Sequence, residues 1–160
     1  MPHPAIYPGN FDSLLKKWAQ QKTSDEKEGQ RTFIANGQCA RLPQELTSVG
    51  HTSRWQPGEC VIDVARTLKP GTVIANFLFE YDKAWFPSSH GRHAALFVRC
   101  ESFSTTTGKP GKIWLFDQYN GAKQKTPSAR WINCYSDEHV KRYGFADCDN
   151  GSAFFVVMVP

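Results

Sequence analysis

Helices first and a sheet afterwards is the order this sequence predicts: an α+β fold with its helices packed on one face of an antiparallel sheet. Two features carry that expectation. Near the start, Phe11, Leu14, Leu15 and Trp18 fall at the i, i+3, i+4, i+7 spacing of one helical face. From Gly71 onward the pattern changes to short apolar runs separated by Gly, Pro, Ser and Asn clusters. With 160 residues, 40% hydrophobic and 21% charged, the chain can bury one core, which predicts a single domain over 1–160 and excludes disorder.

Taken in order, the first helix is expected over 11–21, with Asn10 or Asp12 as its cap. The polar stretch 22–31 reads as an exposed loop. A second helix should start near Asn36 and Gly37 and run through Cys39, Leu42 and Leu46 to about Val49, where Gly50 can stop it. Pro43 constrains that helix, because it lacks an amide proton and clashes with the carbonyl four residues back. The helix therefore starts late enough to hold Pro43 in its first turn, or it is kinked. Strands are expected over 72–79, 93–100, 113–119 and 153–159, as an antiparallel meander. The first and last are nearly all apolar, as central strands covered on both faces would be.

Composition narrows the function classes. No run approaches the roughly 18 to 20 apolar residues of a bilayer span, and the start Met1-Pro2-His3-Pro4 lacks a secretory pattern, so synthesis in a cytoplasm is expected. Nineteen basic and fifteen acidic residues leave a charge of +4 that suits an anionic polymer, yet the charges are dispersed, so nucleic acid is not an expected partner. The five cysteines form no CxxC pair, which argues against a zinc ribbon or a thioredoxin-type site.

The chemistry-bearing pattern is Cys39 at a helix beginning, His93 at the start of a strand and Asp117 near the end of the next. A thiol is a weak nucleophile until deprotonated; a helix start and a neighbouring imidazole both favour the thiolate, and a carboxylate holds the imidazole in one tautomer. Strand parity puts His93, Ala95 and Phe97 on one face and Ile113, Leu115 and Asp117 on one face of the neighbouring strand, so antiparallel pairing lets His93 and Asp117 meet. A different register would put Gln118 in the orienting role. Gln38 or the Cys39 amide is a candidate for the oxyanion hole, and Trp55, Trp85 and Phe86 for a substrate groove. His90 is the rival histidine; with His93 it lacks a third ligand of recognisable spacing, so neither metal nor cofactor is expected. Cys60 reads as a structural thiol. Cys134 and Cys148 flank a polar loop and are the pair most suited to a disulfide.

Gly37-Gln38-Cys39-Ala40-Arg41-Leu42, Thr52-Ser53-Arg54-Trp55, Lys69-Pro70-Gly71-Thr72, Gly91-Arg92-His93-Ala94-Ala95 and Ile113-Trp114-Leu115-Phe116-Asp117-Gln118-Tyr119 together resemble the successive blocks of the NlpC/P60 and CHAP cysteine amidases. The likeness is greatest to the small peptidoglycan amidase effectors of type VI secretion. It implies a papain-like fold of the NlpC/P60 type, with helices on an antiparallel sheet of about four to six strands. It also implies Cys39 as nucleophile, His93 as base and Asp117 as the orienting residue. The substrate so implied is the peptide stem of bacterial peptidoglycan, most often cut between D-glutamate and the diamino acid. A protein of this kind would act in a rival's periplasm and be plugged by a cognate immunity protein. The competing expectation is a cell-wall or protein-binding module that keeps the fold without turnover.

Overall fold

The computed structural model describes residues 1–87 and 91–160, and His90 lies outside them. The first helix, α1 (Phe11–Glu28), is capped as expected by Asn10, whose side chain accepts from the Ser13 amide at 2.9 Å, and it ends at left-handed Gly29. It runs through most of the stretch read as a loop. The reason is Asp25, which is buried and accepts hydrogen bonds from Gln21 Nε2 (2.8 Å), Thr32 N (2.9 Å) and Thr32 Oγ1 (3.0 Å). The last two turns of α1 thus bury a satisfied carboxylate instead of an apolar stripe, and periodicity does not register them.

The second helix, α2 (Arg41–Leu46), is shorter at both ends than expected. Pro43 stands third in it, inside the first turn where an amide proton has no helical acceptor, so no kink is needed. Cys39 occupies the turn that leads into α2. Three minor elements join this part of the chain to the sheet: the short strands β1 (His3–Pro4) and β2 (Gln56–Cys60), and α3 (Val61–Val64). Cys60 closes β2, in keeping with its structural reading.

The apolar run 72–79 divides into two strands. Its first part is β3 (Val73–Ala75), fully buried. At Asn76 the chain leaves the sheet, and β4 (Leu78–Glu80) pairs with β5 (Lys83–Trp85) in a separate hairpin whose turn residues, Tyr81 and Asp82, both have positive φ. The main sheet continues with β6 (Ala94–Phe103), β7 (Pro110–Asn120), β8 (Gln124–Asn133) and β9 (Phe155–Val159). Between the last two lies a short helix, α4 (Asp137–Tyr143).

All pairings are antiparallel, in the order β1-β9-β3-β6-β7-β8 with β2 also on β9, so the main sheet has seven strands and is not a meander throughout. Strand β8 was not expected: it is polar, contains Pro127, and lies at the sheet edge, where a missing amide proton is tolerated. Because β8 covers the free side of β7, the last strand crosses back to lie beside β3.

Each face of the sheet carries a core. Leu14, Leu42, Trp55, Leu96 and Phe116 pack on the α1 and α2 side, and Val61, Ala95, Phe97, Leu115 and Phe154 on the other. Antiparallel strands with helices on the first face agree with the expected α+β class. No described helix is long and apolar enough to cross a membrane.

Candidate active site

Strand β7 ends with four consecutive residues, Asp117 to Asn120, that position what surrounds them. The β6–β7 register sets Leu96 opposite Phe116 and Phe97 opposite Leu115, and Ala95, Phe97, Ile113 and Leu115 share one core face as their parity requires. The same parity brings His93, just before β6, to Asp117. His93 Nε2 stands 2.6 Å from Asp117 Oδ2, with both side chains buried. Asn76, the residue just after β3, fixes the backbone of this histidine, since its Oδ1 accepts from the His93 amide (3.1 Å) and its main-chain N–H donates to the His93 carbonyl (3.0 Å).

The opposite side of β7 holds the loop that delivers Cys39. Gln118, fully buried, accepts from the Ile34 amide (2.8 Å) and donates through Nε2 to the carbonyls of Ile34 (2.8 Å) and Gln38 (3.0 Å). Asn120 donates to the Asn36 carbonyl (3.1 Å). Gly37 passes so close that a Cβ there would lie 2.7 Å from the Asn120 Cβ, and its φ of +84° is in the left-handed region, so both space and conformation call for glycine. The loop held in this way sets the half-buried Cys39 thiol within hydrogen-bonding reach of His93. With Nε2 engaged by Asp117, Nδ1 is the ring nitrogen left to exchange a proton.

Electrostatics favour a charged pair. Burial raises the Cys39 pKa, but the hydrogen bond and positive charge of His93, together with the Ala94 and Ala40 amides, outweigh it and leave the thiol below its ordinary value. Burial likewise opposes protonation of His93, yet Asp117 and Cys39 raise it to about 9. Asp117 stays far below the usual carboxylate range despite complete burial, because His93, Lys125 and Arg130 surround it. The other four thiols move the other way: burial raises Cys60 and Cys148, and pushes Cys100 and Cys134 up to about 12. A thiol that ionises more readily than usual, near a histidine backed by a carboxylate, has the chemistry of a nucleophile with a proton carrier.

Asp117 has two further partners that the sequence reading missed. Lys125 Nζ lies 2.8 Å from Oδ1 and donates to the carbonyls of Asp117 (2.9 Å) and Ser128 (2.7 Å), while Arg130 Nε donates to Oδ2 at 2.8 Å. Both belong to β8, the strand that was not foreseen. A register shift lets them reach one face: Asp117 pairs with Ser128 but Tyr119 with Lys125, so one extra residue on β8 turns Lys125 to the side that Arg130 already occupies.

The remaining expected residues are placed as follows. Gln118 spends its hydrogen bonds on Ile34 and Gln38 of the cysteine loop, and Asp117 is the residue bonded to His93. The Gln38 side chain is exposed, and the Gln38 main-chain N–H donates to Asn36 Oδ1 (3.1 Å). Trp55 lies in the core, 1% exposed, with Nε1 donating to the Gly50 carbonyl, so it lines no groove. Phe86 packs on that indole with ring centroids 5.0 Å apart. Trp85 is 38% exposed on the β4–β5 hairpin. All five cysteines are unbridged: Cys134 packs against Gly151, whereas the Cys148 amide donates to the Gly91 carbonyl in a different neighbourhood. Among the described residues no group of three or more His, Cys, Asp or Glu side chains is arranged to hold a metal ion.

Comparison with known proteins adds one finding. A family model described as domesticated amidase effector 2 matches residues 11–157, a span that includes α1, the cysteine loop, β6, β7 and β8. No curated protein and no solved structure matches the chain. The match agrees with the resemblance to small amidase effectors, and its extent decides the matter: the chain belongs to the domesticated amidase effector 2 family.

Proposed function

We propose that this protein is a cysteine amidase of papain-like design that hydrolyses an amide bond in the peptide stem of bacterial peptidoglycan. The observation that carries this reading is the buried His93, held by Asp117 through Nε2 and near enough to Cys39 to lower the pKa of that thiol alone among the five. The family match supplies the substrate class. In the first half-reaction the Cys39 thiolate attacks the scissile carbonyl, and His93 gives its Nδ1 proton to the departing amine as the C–N bond breaks, leaving a thioester. In the second, neutral His93 takes a proton from water, the hydroxide adds to the thioester carbonyl, and the C–S bond breaks. Carboxylic acid leaves and the thiolate–imidazolium pair is restored. Asp117 holds the ring in orientation throughout.

On this reading the protein acts as an antibacterial effector in a target cell's periplasm, opposed by an immunity protein that plugs the cleft, and the bond cut joins D-glutamate to the diamino acid. The test is digestion of purified sacculi by wild type, Cys39→Ala and His93→Ala, with fragmentation of the released peptides by mass spectrometry. New stem-peptide ends from wild type alone are expected, and their masses identify the bond. Equal products from all three proteins would overturn the assignment. Binding of sacculi by wild type with no products would establish the non-catalytic alternative.

A further inference from the structure

Asp117 is shared in a way that orientation of His93 alone does not require. A buried carboxylate facing one imidazole would give that ring its full charge, yet Oδ2 here is divided between His93 Nε2 and Arg130 Nε, and Oδ1 faces Lys125. Lys125 is the more enclosed of the two cations, with three carbonyl contacts that leave it little freedom. Arg130 is partly exposed, and its guanidinium also stands 5.9 Å from the centroid of the Tyr119 ring, which itself meets His93 edge-on at 6.2 Å.

We propose that Lys125 and Arg130 are positioning residues for the reaction, dividing the charge of Asp117 with the imidazole so that His93 holds its proton loosely enough to release and regain it once per turnover. The proposal rests on the cysteine-amidase reading. Its physical basis is that each cation both neutralises part of the carboxylate and repels the imidazolium across a short, water-poor gap. Acylation uses the imidazolium as acid and deacylation uses the imidazole as base, so a ring that binds its proton too tightly stalls the second half-reaction. The charged and titratable groups around this cluster include Cys39 before α2, Tyr119 on β7, Lys22 on α1, and Cys148 beside Arg130, with Asp147, Asp149 and Arg92 beyond it in the turn after α4 and the start of β6. Arg92 and Asp147 pair with each other at 3.7 Å, and neither touches Asp117.

The experiment uses Arg130→Gln, which keeps an amide donor but removes the charge, beside Lys125→Met and the charge-retaining Arg130→Lys, with folding checked by circular dichroism. His93 is titrated by NMR, and kcat and KM are measured on a soluble muropeptide across pH. In Arg130→Gln and Lys125→Met the His93 titration and the alkaline limb of kcat/KM should both move upward, by about half a pH unit or more. At neutral pH kcat should fall several-fold while kcat/KM changes less than about twofold, because deacylation is the step affected. Arg130→Lys should restore both. A His93 titration that stays in place or moves down in the folded charge-removing variants would overturn the proposal and leave a geometric clamp. NMR reads the ring without turnover, so that outcome is distinct from failure of the amidase reading, which the sacculus digestion detects.

Discussion

Replacing Gln118 by methionine tests whether β7 holds the nucleophile loop. Methionine has nearly the length and shape of glutamine but neither amide function. The substitution removes hydrogen bonds of 2.8 Å to the Ile34 amide, 2.8 Å to the Ile34 carbonyl and 3.0 Å to the Gln38 carbonyl. The Gln38 carbonyl still accepts from the Arg41 amide at 3.1 Å and the Ile34 carbonyl from the Gly37 amide at 3.1 Å, so neither contributes much to the cost. Ile34 is buried, and its amide loses its acceptor at about 1–3 kcal/mol. For a chain of this length that corresponds to a fall in Tm of about 3–9 °C. Calorimetry measures the loss. A second readout is the rate of Cys39 alkylation by iodoacetamide at pH 7, which should fall about tenfold as the loop lets the sulfur drift from His93 and the thiolate is lost. A variant with Tm within about 1 °C of wild type and unchanged alkylation would refute the anchoring argument.

Other consequences can be checked with the same samples. Limited alkylation at neutral pH should label Cys39 alone, because it is the one thiol with a lowered pKa while Cys60, Cys100, Cys134 and Cys148 are all raised; peptide mapping that finds a second site labelled equally fast would contradict this. Gly37→Ala places a Cβ against Asn120 at φ +84° and should cost about 1–3 kcal/mol with most of the activity, measured by urea unfolding and sacculus digestion. The stability linkage has a definite sign: raised His93 stabilises the fold in full below its ordinary 6.5 and loses that effect toward about 9, whereas lowered Cys39 stabilises above its ordinary 9.0 and loses the effect as pH falls. As pH rises the two effects oppose each other in wild type, whereas in Cys39→Ser only the loss from His93 remains, so Tm should decline more steeply with rising pH in that variant, and parallel profiles would refute the ion pair.

Much of the site was legible in the chain because it depends on local pattern. The spacing of Phe11, Leu14, Leu15 and Trp18 defines a helix whatever it packs on, and period-two alternation along β6 and β7 fixes which side chains share a face. That is why Cys39, His93 and Asp117 could be grouped from sequence, and why His93 and Asp117 are found in contact. Pro43, through its missing amide proton, left a late start or a kink for α2, and the fold takes the late start. The tertiary structure decided what depends on partners distant in sequence. Trp55 reads equally well as a groove or a core residue until the chain folds over it. The last turns of α1 exist through a buried carboxylate with satisfied hydrogen bonds, a signal no hydrophobic period carries. Strand β8 is polar because it lies at an edge, and only its register shift brings Lys125 and Arg130 to the same carboxylate. Local geometry follows from each residue and its near neighbours, whereas the sharing of one buried charge among four side chains from three segments is set by packing and exists only in the folded molecule.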